Sequence, residues 1–226
     1  MPNKEEIIVA ALKGAAAGIP FAGGLIAELG DLFLNPIEKR KENWRNEIIA
    51  VLDEINKKYH RSPEEVANDP KFVSALLNAT SIAVHNHQEE KILALKNALI
   101  NVGNPDAVNF DKMYQFLHFV DELSVTHITV LANLEKYSGQ FSKIEELGKL
   151  YSQFILVSKL EIERLVFRSI IEDLNSRFLI QTGDLEEYPE FASKKDILES
   201  SGSKVRPLEI TELGKTFLNF IGDFEP

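Results

Sequence analysis

The chain has no cysteine, which excludes disulfides, thiolate metal sites and cysteine nucleophiles. A secreted disulfide scaffold is excluded with them, and a reducing cytoplasm is the expected compartment. Positive charge is scarce too: 25 Lys and Arg stand against 35 Asp and Glu, a formal net charge of -10. A field of that sign repels nucleic acid and anionic lipid headgroups alike. Long apolar runs are also missing. The uncharged stretch from Gly14 to Ala27 is fourteen residues, short of the roughly 20 that a spanning helix needs. Extending it to Ile7 and Leu34 brings charged side chains along. Lys4, Glu5 and Glu6 precede the run, so it lacks the basic start of a secretion signal and the N-terminus is expected to be mature sequence.

The motifs of common catalytic and cofactor chemistry are absent as well. Gly18 and Gly23 have the spacing of a phosphate loop, but Gly24 and Leu25 stand where lysine and a hydroxyl residue belong. There is no dinucleotide fingerprint, nucleophile elbow or His-Glu-x-x-His pair. His85 and His87 would point about 200° apart on a continuous helix, since each residue turns about 100°, and could converge only where the helix breaks. Adjacent carboxylates such as Glu89-Glu90 and Glu145-Glu146 diverge on a helix. His118, set among Tyr114, Phe116 and Phe119, is expected to be a core or joint histidine with one hydrogen-bond partner. No catalytic, cofactor-binding or metal residue is assigned, no cofactor or small-molecule substrate is expected, and the chain is expected not to be an enzyme.

What is present is helical periodicity. In the Gly14 to Ala27 run, Ala10, Gly14, Gly18 and Ala22 recur every fourth residue, which permits close helix approach, while Pro20 and Gly23-Gly24 oppose a straight helix. The segment is expected to be a hairpin that either packs closely or engages a membrane or a partner helix, with Gly14, Gly18, Pro20, Phe21, Gly23, Gly24 and Leu25 as its contact residues. Asn35-Pro36-Ile37-Glu38 has the composition of a helix start, followed by a stripe of Trp44, Ile48, Val51, Leu52 and Ile55. Ser62-Pro63-Glu64-Glu65 and Asp69-Pro70 predict two further starts. An apolar pattern from Gln88 ends at Gly103, a suitable C-terminal cap. Residues 1–107 are therefore expected to form a helical bundle domain.

Residues 108–226 follow a different order. An aromatic-rich helix from Phe110 to Val120 is expected at the joint of the two halves. Helices capped by Ser124 and Ser142 follow, the second ending near Gln153. A third carries Leu156, Leu160, Phe167, Ile171 and Leu174 as its buried stripe. Strand candidates at 178–182 and 206–211 then flank a polar stretch, and Thr211 caps a last helix. That order predicts a winged-helix-like domain with a small β-hairpin, and a mainly α protein overall. If the domain bound DNA, Lys159, Arg164, Arg168, Lys204 and Arg206 would carry the phosphates. Thirteen basic against twenty acidic residues from Val108 onward leave the domain about seven charges negative, the wrong sign for the term that dominates such affinity.

The stretches Ile19-Pro-Phe-Ala-Gly-Gly-Leu25, Asn35-Pro-Ile-Glu-Lys-Arg40, Asp69-Pro-Lys-Phe-Val73 and His87-Gln-Glu-Glu-Lys-Ile-Leu-Ala-Leu-Lys-Asn-Ala98 resemble a widespread, uncharacterised bacterial helical family. The closing Ile210-Thr-Glu-Leu-Gly-Lys-Thr-Phe217 resembles the end of winged-helix domains and, more loosely, the abortive-infection alpha family of phage defence. The resemblance implies a non-enzymatic effector or accessory protein of a bacterial stress or defence system. It supplies no catalytic residue. A protein partner or self-association is expected, with the hairpin free to engage a membrane on activation. The location would then be cytoplasmic, with peripheral attachment to the inner membrane open to it. The alternative expectation is a winged-helix DNA-binding regulator.

Overall fold

The computed structural model describes residues 26–106, 109–141, 147–182 and 208–222. Among them are ten helices and one antiparallel pair of short strands, so the fold is mainly helical. The hairpin expected at 14–25 and the polar stretch at 183–207 lie outside the described residues. The chain divides into two compact units: residues up to Val125 together with Phe220 and Ile221, and Thr126–Asn219.

The first unit starts with α1, Ile26–Tyr59. It does not begin at Asn35, as the Asn-Pro-x-Glu pattern predicted; Pro36 lies inside the helix. A proline there removes one amide donor, and a helix of 34 residues absorbs that single loss. The predicted stripe is correct along its length: Trp44, Ile48, Val51, Leu52 and Ile55 are all buried. Helix α2, Pro63–Ala67, opens on the predicted capping box, in which Ser62 Oγ accepts from Glu65 N and Glu65 Oε2 accepts from Ser62 N. Asp69 caps α3, Pro70–His85, by accepting from the amides of Lys71 and Phe72. Leu77 of that helix is 36% exposed, while Leu76 beside it is buried.

Helix α4, Glu89–Val102, packs against α1, α3 and α5, Phe110–Glu122. Three of its polar side chains fasten neighbouring chain ends. Lys91 Nζ donates to the carbonyl of Asp121 at 2.8 Å, in the last turn of α5, where a cation also meets the negative end of the helix dipole. Asn97 and Asn101 donate to the carbonyls of Ile221 and Phe220 at 2.9 and 2.8 Å, satisfying acceptors that a helix end leaves open. Gly103 follows α4, but its φ of -64° is ordinary. Its smallness serves packing, because a Cβ there would sit 2.5 Å from Ile55 Cδ1. His118 is a correction: its side chain is 64% exposed and pairs with Glu122 one turn on, so it belongs to the surface of α5 rather than its core.

Burial pushes the Lys91 ammonium below its ordinary value of 10.5, while the nearby Asp121 carboxylate pulls the other way. The cost of that buried charge is fully present at neutral pH, and is relieved as pH rises from the folded pKa toward 10.5, where the unfolded chain binds the extra proton. Urea denaturation of wild type and Lys91→Met across that alkaline range is expected to show wild type gaining on the variant as pH rises. A constant difference would contradict this.

The second unit contains α6, Val125–Lys136; α7, Ser138–Phe141; α8, Leu147–Ser158; and α9, Arg164–Ser176. Strand β1, Ile180–Gln181, pairs with β2, Glu209–Ile210, in the register Ile180 to Ile210, and α10, Glu212–Ile221, follows. Phe141, Phe154 and Phe167 stack in its core, with centroids 6.2 and 4.9 Å apart. The third predicted helix is shorter than its stripe. Leu156 sits at the end of α8 and is 71% exposed, because the chain breaks at Lys159, whose φ is +57°, before α9 begins. Thr211 caps α10 as expected: its Oγ1 accepts from Gly214 N and donates to the Phe178 carbonyl.

Candidate functional site

In the first unit the α3–α4 connection breaks the helix between His85 and His87, the condition on which their convergence depended. Helix α3 stops at His85, and Asn86, His87 and Gln88 turn the chain into α4. The imidazoles do not form a metal centre with neighbouring groups; no cluster of three His, Asp or Glu suited to a metal occurs among the described residues. His85 Nδ1 instead meets the Ser81 carbonyl at 2.7 Å, a contact within its own helix.

The turn leaves a groove of about 600 Å³ between α1, the turn and α4. Its α1 wall carries Arg40, Asn43, Asn46 and Glu47, and its α4 wall carries Glu89, Ile92, Leu93 and Lys96. Trp44 and Ala83 form its buried floor, with Trp44 Nε1 donating to Thr80 Oγ1 at 3.0 Å beneath it. Lys96 Nζ pairs with Glu47 at 2.5 Å, bridging the two walls. At the other end Arg40 Nη1 reaches the Val84 carbonyl in the last turn of α3 at 3.4 Å, a distance that marks a weak bond. Asn86 donates to Ile82 O, which fixes the turn. Arg40 thus lies beside the start of α4 and Glu47 beside its middle, so α1 and α4 run in the same direction along the groove. Seven residues of helix, from Arg40 to Glu47, make its α1 wall about 10 Å long.

Two of the stretches that carry the family resemblance meet here: one contributes Arg40, the other His87, Glu89 and Lys96. The sequence reading did not identify Asn43, Asn46, Asn86 or Lys96. The spacing of Arg40, Asn43 and Glu47 marks one helical face, yet only the position of α4 makes that face the wall of a groove.

On the second unit the cations proposed for DNA separate. Lys159 and Arg164 are exposed, and the Arg164 guanidinium lies over Gly148, where a Cβ would come within 3.2 Å of it. Arg168 is committed to Glu172 at 2.8 Å. Lys204 and Arg206 lie outside the described residues, as do Gly14, Gly18, Pro20, Phe21, Gly23, Gly24 and Leu25. Between Arg164 and Arg168 the helix shows apolar side chains to solvent, with Leu165 75% and Val166 46% exposed.

Phe178 stands at the end of α9 with φ +59° and is 75% exposed. Its amide bonds the Asn175 carbonyl, and that of Leu179 bonds the Leu174 carbonyl, both at 3.0 Å. This is the Schellman arrangement, whose left-handed position usually holds glycine. A bulky residue there carries backbone strain of about 1 kcal/mol. Among the described residues no helix is long and apolar enough to cross a membrane. Comparison with protein-family models, with curated proteins and with solved structures found no match to this chain, so its functional reading rests on the residues and the geometry above.

Proposed function

We propose that this chain is a non-enzymatic helical effector or accessory protein of a bacterial stress or phage-defence system, acting through contact with a protein partner. The observation that carries the contact reading is Phe178, an aromatic side chain held in solvent at a strained position that glycine would fill without cost. Strain of that kind persists at sites where the side chain is used. Leu165, Val166 and Leu156 add exposed apolar surface to the same unit, and apolar anchors of this type dominate protein interfaces. The order of elements from α6 to α10 supports a winged-helix-like organisation for this half. Its third helix offers apolar side chains and a paired arginine where DNA would need uncommitted cations. The association with stress or defence comes from the resemblance in the sequence, and the Gly14 to Ala27 segment is proposed as a second point of engagement, with a partner or a membrane.

Phe178→Gly separates stability from function. Removing the left-handed strain is expected to raise stability by about 1 kcal/mol in chemical denaturation. In cells carrying the locus, the variant is expected to lose protection against the phages that wild type restricts, as is Leu165→Glu. Full protection by both variants, or none by wild type across a broad phage panel, would overturn the proposal.

A further inference from the structure

We infer that the outward stripe of α9 is the contact surface for a second copy of this chain, the two helices lying antiparallel about a twofold axis. This rests on the contact reading proposed above and names its partner. Leu165, Arg168, Ser169, Glu172 and Ser176 follow at intervals of three and four residues, which places them on one face of the helix. All five reach solvent, Arg168 in part. Ser169 is small, and Ser176 turns its hydroxyl back to the Asp173 carbonyl at 2.8 Å. Two such faces can therefore approach to the about 8 to 10 Å that separates packed helix axes.

The order of charge along the stripe selects the occupant. Arg168 and Glu172 stand at equal distances either side of Ile170, with opposite signs, and pair at 2.8 Å within the helix. A twofold axis through that point sets Arg168 opposite the second copy's Glu172 and Glu172 opposite the second copy's Arg168. A parallel arrangement would oppose like charges. The intrahelical pair stays intact, because a carboxylate accepts at both oxygens and a guanidinium has several N–H donors, so two pairs join into a ring of four. Those two charges cancel, which leaves the chain's formal charge of -10 as a diffuse repulsion that salt screens. Apolar side chains flank the ring. Leu165 lies in the first turn and Phe178 just past the last, both 75% exposed, and their midpoint lies between Ile171 and Glu172, within two residues of the charge centre. The register that pairs the charges thus brings each Leu165 end against the other copy's Phe178 end. An unrelated partner needs only a complementary surface, whereas reversed charges and apolar ends about one centre are what a twofold axis requires. A contact of one helix face is smaller than the roughly 1,200 Å² at which stable complexes begin, so the dimer is weak and forms with concentration.

Sedimentation velocity of the full chain, from low to several hundred micromolar, tests this. Wild type is expected to show a reversible monomer–dimer equilibrium. Arg168→Glu and Glu172→Arg are each expected to weaken it roughly tenfold, since either reversal turns both attractive pairs across the axis into repulsive ones. An equimolar mixture of the two variants restores opposite charges across the axis and is expected to dimerise as wild type does. The double variant Arg168→Glu with Glu172→Arg, which also restores the pair within each helix, is expected to do the same. Wild type monomeric throughout, a dimer undiminished in both single variants, or a mixture no stronger than its components would overturn the inference. If wild type is monomeric while Leu165→Glu still loses phage protection, only the second copy is overturned and the contact reading stands. A dimer accompanied by full protection from both Leu165→Glu and Phe178→Gly would support the second copy and overturn the contact reading instead.

Discussion

Gly214→Ala is expected to destabilise the second unit by about 3 kcal/mol or more, although alanine is the better helix former by about 1 kcal/mol. Gly214 is the third residue of α10, and a Cβ added there would run into the backbone carbonyl oxygen of Leu179. That carbonyl cannot yield easily. It accepts from Thr211 N at 3.2 Å, and the Leu179 amide is tied to Leu174 in the cap of α9. The collision is therefore with a crossing of three elements, the cap of α9, the start of β1 and the start of α10. Gly139→Ala is the control, because a Cβ there meets nothing within 4 Å and propensity alone should act. Far-UV circular dichroism through a guanidinium titration measures both, since the sole tryptophan lies in the first unit and does not report on the second. A Gly214→Ala variant as stable as wild type would show that α10 is not seated so closely.

Trp44 carries the second large effect. It is 2% exposed, and its indole N–H donates to Thr80, itself 1% exposed. Trp44→Ala removes the largest side chain beneath the groove and is expected to cost about 3 to 5 kcal/mol. Trp44→Phe keeps much of the volume but strands a buried hydroxyl, for about 2 to 3 kcal/mol. Adding Thr80→Val to Trp44→Phe should recover about 1 kcal/mol, because both polar partners are then gone. Urea titrations of wild type, Trp44→Phe, Thr80→Val and the double variant by circular dichroism give the cycle. Strict additivity would mean that the indole–hydroxyl bond contributes nothing to folding.

The parts of this fold that were legible in the sequence are those set by local chemistry. The Trp44 to Ile55 stripe, the Ser62–Glu65 box, the Asp69 cap and the Thr211 cap each need only neighbours within a turn or two. The misreadings arise where distant packing decides. The Asn35–Glu38 pattern predicts a helix start, because the tolerance of a long helix for one lost bond cannot be seen in four residues. The apolar spacing joins Leu156 to the helix of Phe167 because it runs on across Lys159, whose left-handed turn separates the two. The aromatic neighbours of His118 suggest a core or joint position, although it points away from Phe116 and Phe119 toward Glu122. The roles of Asn97, Asn101 and Gly214 depend on partners far along the chain. The groove was legible by half: the resemblance stretches contained Arg40 and Lys96, but nothing local indicated that they line the same cleft.

The outward face of α9 decides between protein contact and DNA binding, and retardation of random-sequence duplex DNA by the full chain at low ionic strength tests it most directly. With Arg168 held by Glu172 and Leu165 and Val166 exposed beside it, the expected result is no retardation at any protein concentration up to the micromolar range. Retardation that falls steeply with added salt and disappears in Arg164→Glu and Arg168→Glu would contradict the contact reading and place the phosphates on α9.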